Sequence, residues 1–117
     1  MPEGATVRYD EEWDILYAHT DDKVRDSLEL NNFVIDFSMD NRVVGVEIMD
    51  ASKTISEILS RKIGAAALSK VDRASISVSV GKDLAYIFLT VSASANRAKT
   101  ELRIPVIAPT PVMKVQS

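Results

Sequence analysis

Apolar and polar residues alternate through most of the first fifty positions. Residues 7–18 alternate on both sides of the acidic triplet 10–12, and residues 33–38 and 43–49 alternate on both sides of the polar turn 39–42. A period of two is typical of strands that bury one face. We therefore predict a meander of four antiparallel strands within residues 5–50.

The period then changes to that of a helix. Apolar residues recur at the spacing of one helical face, namely Ile55, Ile58, Leu59, Ile63 and Ala66. Thr54, with a glutamate three residues later, fits a capping box, and Asp50 or Ser52 offers an earlier cap. We predict one helix over about residues 52–70, which Gly64 either ends or weakens.

Alternation returns in the last third of the chain. A run of alternating serines precedes the turn 81–83, and two further apolar runs follow it. These runs predict a three-strand meander over 74–107, with a loose, proline-containing tail over 108–117. The whole chain, 1–117, then forms a single α+β domain with the order ββββ-α-βββ, a mainly antiparallel sheet and one central helix.

Two aromatic residues do not fit a core with one buried sheet face. If Ile87 and Leu89 face the core, Tyr86 and Phe88 lie on the opposite face beside the row of serines. Exposed apolar patches of this kind mark interaction surfaces. Either the helix or another subunit must cover them. We predict an interface at Tyr86 and Phe88 and expect a homodimer, with a protein partner as a further possibility.

The composition narrows the class of protein. The chain has 117 residues, 46% of them hydrophobic and 26% charged, which suits one folded domain. It has no cysteine, which excludes disulfides, thiolate nucleophiles and cysteine-based metal sites. No apolar run reaches the roughly 20 residues of a membrane span, and the first residues do not resemble a secretion signal. We expect a cytoplasmic protein with no membrane partner.

The two halves of the chain carry opposite charges. Residues 1–50 hold thirteen acids and four bases, a net charge of −9, and residues 51–117 hold four acids and ten bases, a net charge of +6. A nucleic-acid contact would use the basic residues Lys53, Arg61, Lys62, Lys70 and Arg73. A pI near 5.1 argues against that role as the main one, and we expect the halves to neutralise each other in part.

The segments VRYDEEWDILYAHT and FVIDFSMDNRVVGVEIMDAS resemble the domain of unknown function 2283 family, which comprises small bacterial and archaeal proteins. The residues that carry this resemblance are Tyr9, Asp10, Asp14, Leu16, Tyr17, Asp36, Gly45, Val46, Glu47, Ile48, Ala51 and Ser52. It covers about residues 5–53, and Trp13 and Arg42 depart from the family pattern. The resemblance implies no activity. Because some members lie beside toxin-like proteins, it implies an interaction or antitoxin-type role.

Carboxylates and the single histidine are the candidate chemical groups. A solvated strand end with an acidic turn is the simpler explanation of His19 and its neighbours. As the alternative, His19 with Asp21, Asp22 and Asp36 would form an oxygen-rich divalent-metal or small-ligand site. We expect Asp36 and Glu47 to share one sheet face, with Arg42 or Arg8 balancing their charge.

No nucleophile elbow or phosphate-binding glycine loop occurs in the sequence. The sequence thus predicts a non-enzymatic protein that has no catalytic residues, needs no cofactor and binds a protein partner or itself.

Overall fold

The computed structural model describes residues 3–94 and 100–109. Five strands precede two short helices and three strands follow them. Their bounds are β1 Glu3–Asp10, β2 Ile15–His19, β3 Asp26–Leu30, β4 Phe33–Phe37, β5 Val43–Ile48, α1 Ala51–Leu59, α2 Ala65–Leu68, β6 Arg73–Val80, β7 Leu84–Ala93 and β8 Thr100–Pro109. No helix in the described ranges is long and apolar enough to cross a membrane.

All eight strands join one curled antiparallel sheet, which forms a half-barrel. Its order is β3-β4-β5-β2-β1-β6-β7-β8, so β1 lies between the strands of the first half and those of the second. The predicted order ββββ-α-βββ with one central helix is therefore wrong. The first half is not a simple meander either, because β5 pairs with β2 and places β3 at the sheet edge.

The strand absent from the sequence prediction is β3. It pairs with β4 through a two-residue turn at Asn31 and Asn32, where Asn31 has a φ of 54°. Asparagine tolerates this left-handed conformation, which tight hairpin turns require. Leu28 and Leu30 turn towards the core but are only half-buried. β3 contains only two apolar residues, Leu28 and Leu30, so its alternation is too short to stand out in the sequence.

The predicted helix over 52–70 is interrupted. α1 ends at Leu59, because Ser60 adopts a left-handed conformation with φ 54° and its N–H bonds back to Glu57. The Ser56 hydroxyl accepts a hydrogen bond from the Ile63 N–H, which holds the following loop against α1. Gly64 begins α2 rather than ending α1. The break buries Ile63 and Leu68 and leaves Ala66 exposed.

β6, β7 and β8 form the three-strand meander that the sequence predicted over 74–107. Among the described residues, β8 lies at the sheet edge, where a proline costs little because one side of the strand has no partner there. It runs through Pro105 to Pro109, so residues 108 and 109 belong to the strand and not to the expected loose tail. The rest of that tail, 110–117, lies outside the described residues.

The core lies inside the curl of the sheet and is covered by α1. Leu16, Ile35 and Val46 enter it from the first half, and Leu89 and Ile104 enter it from the second half. All five side chains are fully buried. Both halves therefore contribute side chains to one core.

Candidate functional site

Asp14 joins the first hairpin to the start of α1. Its carboxylate accepts a 2.6 Å hydrogen bond from the Tyr9 hydroxyl and a 2.7 Å bond from the Ser52 hydroxyl. The Ser52 N–H also donates to it, at 3.1 Å. Asp50 occupies the predicted cap position, but its side chain makes no capping bond. The cap of α1 is thus a carboxylate from a distant turn, placed there by the left-handed conformation of Asp14 (φ 54°).

These bonds determine which groups carry protons. Burial raises the pKa of Asp14, but the hydrogen bonds from Tyr9 and Ser52 outweigh it and bring this pKa below its usual value. Burial, the bond to Asp14 and the nearby acids together raise the pKa of Tyr9. Asp14 therefore stays ionised and Tyr9 stays a proton donor near neutral pH, which suits a structural link.

Asp36 is the second carboxylate that accepts hydrogen bonds within the fold. It is 7% exposed and accepts hydrogen bonds from the hydroxyls of Tyr17, at 3.0 Å, and Ser27, at 2.6 Å. Gly45 faces it across β4 and β5, and a side chain at Gly45 would collide with the Asp36 carboxylate. The hydroxyls of β2 and β3 thus satisfy Asp36.

The sequence predicted that Arg42 or Arg8 would balance the charge of Asp36 and Glu47. Arg42 forms ion pairs with Glu3, Asp22 and Asp40, and no ion pair joins Arg8 to a carboxylate within the described residues. Arg42 therefore does not balance the charge of Asp36 or Glu47. The charge of Arg8 does act on this cluster, because it opposes the effect of Asp36 and Glu47 on Tyr17. The register does place Glu47 on the same sheet face as Asp36, two residues beyond Gly45.

Tyr17 links Asp36 to the only histidine. Its ring stacks on that of His19, with centroids 5.1 Å apart and planes inclined by 22°. Burial, the bond to Asp36 and the charges of Asp36 and Glu47 raise the pKa of Tyr17 to about 12, against the opposing effect of Arg8. Tyr17 is thus held as a neutral donor and is a poor candidate for a general base.

The four residues of the predicted metal site have separate environments. His19 Nδ1 lies 3.0 Å from the carbonyl oxygen of Thr20, Asp21 is exposed, Asp22 pairs with Arg42 at 2.6 Å, and Asp36 is held by the two hydroxyls. Over 3–94 and 100–109, no group of three or more His, Asp or Glu side chains is arranged to hold a metal ion. The metal site remains a prediction from the sequence.

The predicted basic residues do not share one helix. Lys53 lies on α1, Arg61 and Lys62 follow its end, Lys70 follows α2, and Arg73 begins β6. All five are exposed. Because the helix is interrupted, the expected basic helix and its exit become several short, separate segments.

The outer faces of β7 and β8 carry an apolar surface that includes both predicted interface residues. We define the aromatic surface as Leu84, Tyr86, Phe88, Pro105 and Ile107. The register pairs Tyr86 with Ile107 and Phe88 with Pro105, while Ile87 and Leu89 enter the core as expected.

Exposure and ring contacts characterise this surface. Ile107 is 53% exposed, Leu84 42% and Tyr86 37%. The rings of Tyr86 and Phe88 lie 6.4 Å apart at 14° to each other, and the Arg103 guanidinium carbon lies 4.0 Å from the Phe88 ring centroid. Leu84 and Ile107 were missed in the sequence, although the alternation of their strands places them on the same face as Tyr86.

Comparison with known proteins matches the first half of the chain. Residues 6–52 match the family described as a protein of unknown function, DUF2283. The resemblance inferred from the motif residues is thereby confirmed over that segment. The match contains Asp14, Ser52, Asp36 and Gly45, which the structure uses for internal links. It does not reach the aromatic surface. No curated protein matches the chain, and no solved structure does.

Proposed function

We propose that this protein is a non-enzymatic interaction module of the cytoplasm that binds protein through the aromatic surface. The observation that carries the proposal is the exposure of Leu84, Tyr86 and Ile107 together on one sheet face. Covering such side chains gains about 25 cal/mol per Å² of apolar area removed from water. Contiguous apolar surface of this kind is typical of docking sites.

The contact uses the sheet face and not the free edge of β8. Pro105 and Pro109 both lie in this edge strand, and a proline in an edge strand places its nitrogen on the unpaired side. Two positions along the unpaired edge of β8 therefore lack an amide proton. An added strand would lose those hydrogen bonds, which is a common protection against edge pairing. The face beside the edge carries no such obstacle.

The non-enzymatic part of the proposal rests on how the polar groups are used. Asp14 and Asp36 each accept hydrogen bonds from a tyrosine and a serine hydroxyl. The raised pKa values of Tyr9 and Tyr17 keep both phenols protonated near neutral pH. General acid–base chemistry needs a group whose pKa lies near the working pH. These groups instead join β1, β2, β3 and β4 to their neighbours.

Site-specific photocrosslinking in cells tests the proposal. A photoreactive amino acid replaces Ile107 in one variant and Met39 in the control, because Met39 is 73% exposed but lies in the turn between β4 and β5. We expect position 107 to yield a protein adduct, either with another copy or with a second protein, and position 39 to yield none. The tryptic peptides identify the adduct.

The crosslinking experiment also tests nucleic-acid contact, and a melting-temperature measurement tests the metal alternative. An adduct of position 107 with nucleic acid, retained in a salt-dependent way, would contradict a protein-binding role and support nucleic-acid contact. No adduct at position 107 would also contradict it. A rise in melting temperature with a divalent cation, lost in the His19→Ala variant, would support the metal alternative.

A further inference from the structure

We propose that the free edge of β3 binds an extended basic segment of another protein, which lengthens the sheet by one strand. This contact is separate from the aromatic surface and does not depend on the proposed function. Within the described residues, β3 pairs with β4 alone and lies at one end of the sheet. An edge strand presents unpaired N–H and C=O groups, which are a template for another strand.

The register of β3 shows which backbone groups are free. The turn joins Leu30 to Phe33 with two residues between them, which makes these two a hydrogen-bonded pair. Such pairs alternate along an antiparallel ladder, so Ser27 and Glu29 direct their N–H and C=O groups away from β4. The Ser27 N–H agrees with this direction, because it donates at 2.9 Å to the Asp26 carboxylate. An arriving strand therefore finds the backbone groups of two residues on one edge.

β3 lacks the protection that β8 has at the opposite edge. Pro105 and Pro109 lie in β8, whereas β3, with the sequence DSLEL, contains no proline. Proline obstructs edge pairing because it has no amide proton. The described part of the sheet thus has one edge that resists an added strand and one edge that can accept it.

Leu28 and Leu30 give this edge an apolar side. Leu28 lies opposite the fully buried Ile35, so both leucines face the core. They pack against the core but keep part of their surface exposed. Apolar side chains on the same face of an added strand would cover that surface, and the removal of apolar area from water is favourable. The partner strand therefore carries apolar residues on its core face.

Two carboxylates determine the charge of the partner. Asp26 and Glu29 are exposed, and the ion pairs within the described ranges all involve Arg42. The nearby Arg25 guanidinium is directed to the turn between β4 and β5, where it donates to the Asn41 side chain. Basic residues on an added strand would meet both carboxylates, and opposite charges on neighbouring strands stabilise their pairing.

The same carboxylates disfavour a second copy at this edge. A two-fold contact between two β3 strands pairs the strand with itself, and the alignment that includes the whole strand is centred on Leu28. It places Glu29 opposite Ser27 of the second copy, so the two Glu29 carboxylates become diagonal neighbours on one face. Like charges on neighbouring strands are destabilising, and β3 has no basic residue to offset them. The charges thus favour a basic partner over self-association.

A designed cyclic hairpin peptide tests this contact. Its free strand reads Val-Lys-Val-Thr-Lys, so that an antiparallel alignment puts the valines opposite Leu30 and Leu28 and the lysines opposite Glu29 and Asp26. Cyclisation holds the strand extended and lowers the ordering cost of binding. One control peptide has glutamate in place of both lysines. A second control is N-methylated at the first lysine and the threonine, the two amides that face β3.

Fluorescence anisotropy of the labelled peptides measures the Kd for the full chain. We expect the lysine peptide to bind about tenfold more tightly than either control peptide, because each control removes charge pairs or backbone hydrogen bonds. Its binding should weaken as salt screens the charges.

Two variants locate the contact on β3. Glu29→Pro removes an outward N–H without touching the bonds to β4, and should bind the lysine peptide about tenfold more weakly. Glu29→Lys keeps the backbone groups and should lose the preference for the lysine peptide over the glutamate peptide. The matched control is Glu57→Lys, the same charge change at an exposed position on α1, which should behave as wild type. Circular dichroism checks that each variant is folded.

The inference is overturned if the lysine peptide does not bind, if the glutamate peptide binds equally well, or if N-methylation leaves the Kd unchanged. The N-methylated peptide needs no change to the protein, so a misfolded Glu29→Pro variant does not obscure the result. A wild-type dimer in sedimentation velocity that Glu29→Lys dissociates would assign the edge to a second copy instead. Crosslinking at position 107 tests the aromatic surface separately, so either proposal can fail alone.

Discussion

Gly45 lies directly opposite Asp36, so close that the carboxylate occupies the space that any larger residue at position 45 would fill. Gly45 has no positive φ, so its role is steric. The small residue allows a nearly buried carboxylate to lie flat on the sheet and accept the Tyr17 and Ser27 hydroxyls. Two residues of the family resemblance thus form one packing unit.

Gly45→Ala should therefore lower the free energy of unfolding by about 1–3 kcal/mol, the usual cost of overpacking. In an Asp36→Ala background the same change should cost less, because the carboxylate it collides with is gone. Urea denaturation of the four proteins measures the coupling. Gly4→Ala is the matched control, since nothing lies within 4 Å of an added Cβ there. Equal costs in both backgrounds would contradict the steric explanation.

Asp14→Asn should weaken the link between the first hairpin and α1. Asparagine tolerates the left-handed backbone at this position, so the substitution removes the charge without changing the backbone conformation. We expect a loss of about 1–2 kcal/mol at pH 7, in the range for hydrogen bonds to a charged group that is partly exposed. Chemical denaturation followed by circular dichroism measures it.

The loss should depend on pH. Because the folded pKa of Asp14 lies below its ordinary value of 3.8, its contribution is present above that value and disappears as the pH falls through the folded pKa. The difference between wild type and Asp14→Asn should therefore shrink below about pH 4. A difference that is constant from pH 7 to pH 2 would show that ionisation of Asp14 plays no part.

Tyr17→Phe removes one of the two donors to Asp36 and should cost about 1–2 kcal/mol at pH 7. The pKa of Tyr17 is raised from 10.0 to about 12 in the folded protein. Its contribution is therefore complete below pH 10 and is lost as the pH rises towards 12. The difference absorbance titration between wild type and variant isolates this phenol. A midpoint near 10 would contradict the arrangement around Asp36.

Ser60→Gly tests the break between the helices. Ser60 adopts a left-handed conformation, which costs a residue with a Cβ roughly 1–2 kcal/mol. Glycine removes this cost, but its greater conformational freedom in the unfolded chain offsets part of the stabilisation. We expect a net stabilisation of about 0.5–1 kcal/mol. Ser56→Gly, in the same helix, should instead destabilise, because it loses the bonds to Ile63. Thermal unfolding of both variants measures these changes in stability.

The sequence predicted the parts of the fold that depend on local pattern. The turn at 39–42, the three strands of the second half and the outward position of Tyr86 all follow from alternation and turn chemistry. It did not predict β3, because the alternation of this strand extends over only two apolar residues. It also did not predict the helix break, because the left-handed Ser60 has no sequence signal comparable to glycine.

The same limit applies to the candidate site. Asp14, Asp36 and Gly45 were visible as family residues, but their partners come from other strands or from the start of α1. Tyr17 reaches Asp36 only because β5 inserts between β2 and β4. A pairing between strands that are not consecutive is set by the tertiary fold, so a hydroxyl on β2 could not be assigned to a carboxylate on β4 in advance.

The central position of β1 has a consequence for how the protein is made. One side of β1 pairs with β2 soon after both are synthesised. The other side can pair only after β6 is synthesised, because its partner there includes Ala74, which lies opposite Ala5. Contacts between distant positions form slowly, and chains emerge from the ribosome amino end first. The nascent first half therefore exposes one unpaired strand until most of the polypeptide has been translated. Chaperone contact during that interval would fall on β1.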